Sequence, residues 1–302
     1  MNTQNPERRP LLESYIDTLQ WRAKFFGSKG AIKVGEKYFS KFLFNQDTQT
    51  QLWATLSMAS LYYSASAFSW NRMRAIKGTS KFNLFNLIGM IQPAITAYCL
   101  LMKAWQYVQR AKCIIHSADA GTLHVSADNY DVIQSVARAY YRTLWWDKPH
   151  GYTAKVVLGL ATHSIAVALK MPDCTDISKC LLLIGRADLL SLQIEPHNRG
   201  KYQIAIFDIL LEAWDVAMRL DAGETDTQMR RQLARVFRHI KDMTAGLIPF
   251  HKERMSDEHA GYPSSAEDLH KQADQLLIKY LGLAESPDQT LKAEVTLRLP
   301  AK

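Results

Sequence analysis

The chain has 302 residues, of which 47% are hydrophobic and 22% are charged, and its formal net charge is +8. These fractions are ordinary for folded proteins, so they exclude disordered and collagen-like classes and allow one large domain or two smaller ones. Four cysteines without a framework spacing indicate a reducing compartment, and the polar N-terminus indicates no secretory signal peptide.

The positive charge is concentrated in the first third of the chain. Residues 1–112 contain 15 Lys and Arg against 5 Asp and Glu, whereas residues 113–302 contain 22 against 24. A basic region of this kind predicts an anionic partner surface, either a membrane or a nucleic acid.

Residues 1–47 form a basic region in which helical periodicity predicts amphipathic helices at 11–26 and 31–44. Lysines recur there at i+4 spacing and form one cationic stripe: Lys29, Lys33, Lys37 and Lys41. Such a helix can rest in a headgroup layer with its lysines on lipid phosphates. A solvated face on a helix packed against the rest of the fold has the same pattern.

No acidic residue occurs between Asp47 and Asp119, and the segments 48–71 and 82–102 carry no charged residue. A short basic connector joins the two uncharged segments: Arg72, Arg74, Lys77 and Lys81. Two uncharged segments of spanning length joined by a cationic connector predict a membrane-associated helical hairpin at 48–118. We expect the connector side chains to contact anionic lipid headgroups.

The two candidate membrane helices of the hairpin cover about 52–70 and 83–105. Tryptophans lie near their ends, where an interfacial belt is expected: Trp53, Trp70 and Trp105. Small residues form a stripe on the first segment that permits close helix packing: Ser57, Ser60, Ser64 and Ala67. Pro93 is expected to kink the second helix and free a carbonyl that a facing serine can satisfy.

The sequence leaves the depth of this hairpin open. A double span, a re-entrant hairpin whose connector stays among headgroups, and a buried hairpin in a soluble protein all fit the pattern. Five serines and two tyrosines keep the 52–70 segment only mildly hydrophobic. Because slightly more cations flank the hairpin than lie in its connector, we expect a membrane location with the C-terminal domain in the cytosol.

The remainder of the chain predicts a helical domain at 131–285, after a linker at 119–130 and before a tail at 286–302. Helical patterns occur at roughly 131–146, 153–171, 175–194, 198–220, 225–247 and 264–283. The fold class is therefore all-α: N-terminal amphipathic helices and a membrane-associated hairpin, followed by a helical bundle or a solenoid-like soluble domain.

Local signals refine the ends of this domain. Ser264 and Glu267 have the spacing of a capping box at the start of the last helix. The segment 294–299 alternates in the manner of a short strand.

Groups that carry chemistry are sparse in the sequence. Asp208 and Glu212 stand at i, i+4 on a predicted helix, a pattern that suits acid–base work, but ion pairing that continues from Asp215 to Arg219 is the favoured interpretation. The spacing of the histidines does not favour a metal site, because no two of them share a helical face: His251, His259 and His270.

These observations predict a non-enzymatic membrane-associated scaffold or adaptor that anchors or shapes a membrane-bound assembly. Its expected partners are anionic lipids and other proteins or a second copy of the chain, and we expect neither a cofactor nor a metal. One alternative is a soluble all-α scaffold whose basic first third contacts nucleic acid. A further alternative is a helical lipid-modifying enzyme that uses Asp208 and Glu212.

Overall fold

The protein is represented by a computed structural model that describes residues 29–78, 84–118, 123–144, 151–195, 197–221, 227–249, 263 and 265–283. Within these ranges all regular structure is helical, which confirms the all-α class. The described helices are α1 Lys29–Phe39, α2 Thr48–Gly78, α3 Leu84–Ser117, α4 Ala127–Thr143, α5 Tyr152–Ala168, α6 Asp176–Ser191, α7 Arg199–Asp221, α8 Thr227–Ala245 and α9 Ala266–Leu283.

Some predicted features lie outside the described residues. These are the helix at 11–26, the strand at 294–299, His251 and His259. The chain divides into two compact units, Met1–Ser164 and Ile165–Lys302, so the division falls inside α5.

A long antiparallel hairpin forms the centre of the first unit. Its helices α2 and α3 contain 31 and 34 residues, which correspond to lengths of about 46 Å and 51 Å. The Ser66 hydroxyl donates a 2.7 Å hydrogen bond to the Ala97 carbonyl, which defines the level at which the two helices face each other. Leu101 and Val108 of α3 lie beyond this level, away from the connector, and are fully buried.

The hairpin helix α2 is central because it packs against α1, α3 and α4. Residues 54–59 are all buried. This run is longer than one helical turn, so every face of α2 is covered along this stretch. A helix surrounded on all sides is apolar or uncharged all round, because a buried charge has a high desolvation cost. This position explains why residues 54–59 carry no charge.

Close contacts hold α1 and α4 on the hairpin. A Cβ added at Gly35 would lie 2.3 Å from Leu61 Cδ2, so glycine permits the close approach of α1 to α2. Phe39 is fully buried and meets Trp53 edge to face at 5.4 Å. On the other side, Trp105 of α3 stacks on Tyr140 of α4 at 4.8 Å.

Three helix ends differ from the sequence prediction. Helix α2 continues to Gly78, so most of the predicted connector is helical. Helix α4 begins at Ala127 rather than 131, because Ser126 and Asn129 form a reciprocal capping box. Helix α9 begins one residue later than its predicted cap implies, since the Ser265 hydroxyl accepts the hydrogen bond from the Asp268 backbone N–H.

The second unit contains two helix pairs, α6 with α7 and α8 with α9, which also contact each other through α8. Its core includes an aromatic series from three helices: Trp214 meets Phe237 edge to face at 5.4 Å, and Phe237 stacks on Tyr280 at 5.8 Å. Aromatic pairs of this geometry contribute about 0.5–1.5 kcal/mol beyond their buried area. They therefore help to fix how α7, α8 and α9 pack.

Candidate functional site

None of the helices in the described part of the chain is long and apolar enough to cross a lipid bilayer. The predicted transmembrane helices at 52–70 and 83–105 are therefore not supported. Many of the hydrophobic side chains that suggested spanning helices belong to the core of the first unit, where they pack against neighbouring helices: Leu52, Leu56 and Leu61.

We call the end of the hairpin at which the connector joins α2 to α3 its distal end. The N-terminal half of α3, which lies at this end, carries an exposed apolar stripe. Ile91, Ile95 and Tyr98 are 50%, 59% and 38% exposed, and their i, i+4, i+7 spacing places them on one helical face. Further along the same face the exposed residues become polar, with Gln106 and His116. The apolar character is thus confined to one end of the hairpin, unlike the singly scattered apolar residues of an ordinary surface.

Cationic residues lie at the same end of the hairpin. Ser66 of α2 and Ala97 of α3 lie at the same level of the hairpin. Because the two helices are antiparallel, six residues toward the distal end lead to Arg72 on α2 and to Ile91 on α3, which are therefore level with each other. Arg74 and Lys77 follow on the last turns of α2, whereas Lys81 lies outside the described residues.

We name this region the distal surface. It consists of the apolar stripe and the connector cations that lie on α2: Ile91, Ile95, Tyr98, Arg72, Arg74 and Lys77. No acidic residue occurs anywhere between Asp47 and Asp119 to offset these cations. The segment that carries these cations therefore has a positive net charge, and it ends level with the apolar stripe.

The predicted lysine stripe lies partly on α1. Lys33 and Lys37 are exposed on the helix, Lys41 is exposed in the turn that follows it, and Lys29 is the first residue of the helix. Glu36 points to the hairpin, where its carboxylate accepts a hydrogen bond from Tyr62. Burial, together with this carboxylate, raises the pKa of Tyr62, so the phenol stays protonated as the donor.

Two of the predicted interfacial tryptophans contact protein. Trp53 packs edge to face with Phe39 and Phe42, and Trp105 stacks on Tyr140. Trp70 is half-buried near the distal end of α2. The interfacial role of these tryptophans stays a prediction.

The predicted small-residue stripe lies on a partly buried face of α2. Ser57 is buried, whereas Ser60, Ser64 and Ala67 are half-buried. The serine that bonds α3 is Ser66, which sequence reasoning missed. Its signal is the run of small residues at 65–67, which allows close approach of the helices.

Pro93 lies inside α3 and removes the hydrogen bond to the carbonyl of residue 89. The Ser66 hydroxyl bonds the carbonyl of Ala97 instead. The expected link between a facing serine and α3 therefore exists, but at a different carbonyl from the one that Pro93 frees.

The acidic residues of α7 take part in surface ion pairs. Glu212 lies 3.4 Å from Lys179 of α6, and Asp215 pairs with Arg219 on its own helix, as the i+4 spacing predicted. Asp208 is exposed on the same helix. Exposed pairs of this kind contribute about 0–1 kcal/mol, so they shape the surface charge more than the stability.

His270 serves the packing of α8 against α9. Its Nδ1 lies 3.0 Å from the Lys241 carbonyl oxygen, and the Lys241 ammonium pairs with Asp274. Among the described residues, no group of three or more His, Cys, Asp or Glu side chains is placed to hold a metal ion.

The cysteines differ in accessibility, which makes them useful reporters. Cys99 and Cys113 are exposed on α3, whereas Cys180 is fully buried in the second unit. Burial raises the pKa of the Cys180 thiol to about 12, so this thiol is a poor nucleophile. Cys99 adjoins the distal surface, and Cys113 lies about 21 Å further along the helix axis.

Comparison of the chain with protein-family models, with curated proteins and with solved structures found no match.

Proposed function

We propose that the protein is a non-enzymatic helical scaffold that docks on membrane surfaces containing anionic lipids. The distal surface is the docking element, and the exposed stripe of Ile91, Ile95 and Tyr98 beside acid-free basic turns is the observation that carries the proposal. The second unit, as a helical bundle or solenoid-like domain on the cytosolic side, binds partner proteins.

The two parts of the distal surface contribute comparable free energies to docking. Full burial of a large apolar side chain stabilises by about 1.5–3 kcal/mol, so three half-exposed ones contribute about 3 kcal/mol. Each Lys or Arg near an anionic surface contributes about 1 kcal/mol, so three contribute about 3 kcal/mol. Attachment therefore requires both parts, and salt weakens only the cationic one.

The lysines of α1 extend the cationic area of the first unit. Lys33, Lys37 and Lys41 are exposed, and Glu36 is directed toward Tyr62 instead of the stripe. In the proposed function these lysines contact lipid headgroups in addition to the distal surface.

Solvatochromic labels on the two exposed thiols of α3 test the docking. Full-length Cys113→Ser/Cys174→Ser carries the label at Cys99, and Cys99→Ser/Cys174→Ser carries it at Cys113, because Cys180 is buried. We expect vesicles of phosphatidylcholine with phosphatidylserine to shift the emission at Cys99 to the blue and to leave Cys113 unchanged. Equal shifts at both positions, or none at Cys99, would refute docking through the distal surface.

A pair of isoleucine variants tests the apolar part. Ile95 and Ile204 are 59% and 57% exposed on helices of different units. Ile95→Gln is expected to weaken vesicle binding several-fold, and the matched Ile204→Gln is expected to bind as the wild type does.

Duplex RNA and DNA serve as competitors in this assay. Salt-dependent nucleic-acid binding without vesicle binding would support the alternative of a nucleic-acid-contacting scaffold instead.

A further inference from the structure

A cavity of about 280 Å³ opens within the first unit between α3, α4 and α5. This volume is close to the lower end of small-molecule pockets, which begin at about 300 Å³. Helix α3 contributes Lys112 and His116 to its lining, and α5 contributes Leu160, His163 and Ser164. The cavity is separate from the distal surface.

The charged lining of the cavity is basic. Lys112 is half-buried, and His116 and His163 are exposed at the rim. Among the described lining residues there is no Asp or Glu. A carboxylate entering here meets ammonium and imidazole donors without a competing acidic group, whereas a cation meets no ionic partner.

The interior combines apolar walls with one buried hydroxyl. Ile133 is 2% exposed and Leu160 packs on the same core, so they form an apolar wall. Ser164 is fully buried, and its hydroxyl has no hydrogen-bond partner among the described residues. Because this hydroxyl has no accessible surface, the interior offers a ligand mainly the apolar wall.

Gly159 leaves the cavity open on the α5 side. A Cβ added at this position would meet no atom within 4 Å. Space that a larger side chain would occupy is thus available beside the basic rim and the buried hydroxyl.

We propose that this cavity binds a small organic carboxylate with an apolar part. The carboxylate lies among Lys112, His116 and His163. The apolar part packs on Ile133 and Leu160.

Three related probes test the chemistry by calorimetric titration of the full-length protein: 4-hydroxyphenylacetate, phenylacetate and tyramine. We expect one-to-one binding of both 4-hydroxyphenylacetate and phenylacetate, because both present a carboxylate to the basic rim. Tyramine keeps the ring and the hydroxyl but replaces the carboxylate by an ammonium group. Binding of tyramine as tight as that of 4-hydroxyphenylacetate would overturn the proposal.

Lysine variants test the basic rim. Lys112→Gln is expected to weaken both carboxylates about tenfold, because it removes a charge-assisted hydrogen bond. Lys155→Gln is the matched control, since Lys155 is exposed on α5 and does not line the cavity. Equal affinities of the two variants would contradict the assigned rim.

Variants of α5 test the interior. Gly159→Leu is expected to abolish binding by filling the cavity, whereas Gly159→Ala retains it.

Discussion

At the scale of single residues, hydrogen bonding and burial oppose each other at Asp221. Burial raises the pKa of this carboxyl, but hydrogen bonds from the Tyr280 hydroxyl and the Lys279 ammonium outweigh burial and leave the pKa below its ordinary value. These contacts connect the end of α7 to the last helix, α9. The carboxylate therefore stabilises the folded second unit in its ionised form.

The sign of the shift predicts how Asp221 affects stability with pH. Because the folded pKa is the lower one, the stabilisation is fully present above the unfolded pKa of about 3.9 and is lost as the pH falls through the folded value. Asp221→Asn is expected to lower the free energy of unfolding at pH 7 by roughly 1–3 kcal/mol, with the difference shrinking toward zero in acid. Urea titrations across the pH range measure it.

Asp215→Asn is the matched control for this prediction. Asp215 belongs to an exposed pair with Arg219 on one helix, which contributes about 0–1 kcal/mol. A loss of stability at Asp215 as large as that at Asp221 would contradict the assigned role of the α7–α9 contacts.

Replacing glycine by alanine at two helical positions is expected to change the free energy of unfolding in opposite directions. Gly159→Ala places a Cβ in open space and is expected to raise the free energy of unfolding by about 0.5–1 kcal/mol, because alanine favours the helix. Gly35→Ala places a Cβ against the buried side chain of Leu61 and is expected to lower it by about 1–3 kcal/mol. Chemical denaturation of the two variants compares them, and the same sign for both would contradict the packing at Gly35.

At the scale of secondary-structure elements, one buried hydroxyl connects the two long helices of the hairpin. Ser66→Ala removes the hydrogen bond to the Ala97 carbonyl and is expected to lower the free energy of unfolding by about 0.5–1.5 kcal/mol. Ser60→Ala, at a half-buried position on the same helix, is expected to cost less. Denaturation curves of the two variants measure both losses of stability. Equal losses would contradict the assigned role of the Ser66 hydroxyl in joining α2 to α3.

The uneven surface of α3 follows from what covers it. Near its C-terminal end, Trp105 stacks on Tyr140 of α4, whereas Ile91 and Ile95 stay exposed near its N-terminal end. Helix α3 is therefore a core element over one part and a surface element over the other. This division gives the distal surface its limits.

At the scale of the whole molecule, the charge imbalance predicts which cations hold the protein on vesicles. Arg72→Gln/Arg74→Gln removes two charges beside the apolar stripe, each contributing about 1 kcal/mol, so binding to anionic vesicles is expected to fall roughly 30-fold at low salt. The matched variant Arg235→Gln/Arg238→Gln removes two exposed charges of the second unit and is expected to have little effect. Co-sedimentation measures both, and an equal loss would indicate unspecific attraction.

The sequence by itself determined the helical class, and it placed α5 to α9 within a few residues of their observed ends. Local signals suffice there, because periodicity and breaker residues act between near neighbours in the chain. The same local signals did not show that α4 begins at its Ser126 cap, or that α2 continues through most of the basic connector.

Only the tertiary structure decided which uncharged residues form the core and which stay exposed. Leu61 and Ile95 occur in similarly uncharged segments, yet Leu61 is fully buried beneath α1 and Ile95 is 59% exposed. Likewise, Ser66 rather than a serine of the predicted stripe bonds α3. Burial depends on which helices pack together, and that packing joins residues far apart in the chain, so no local pattern contains it.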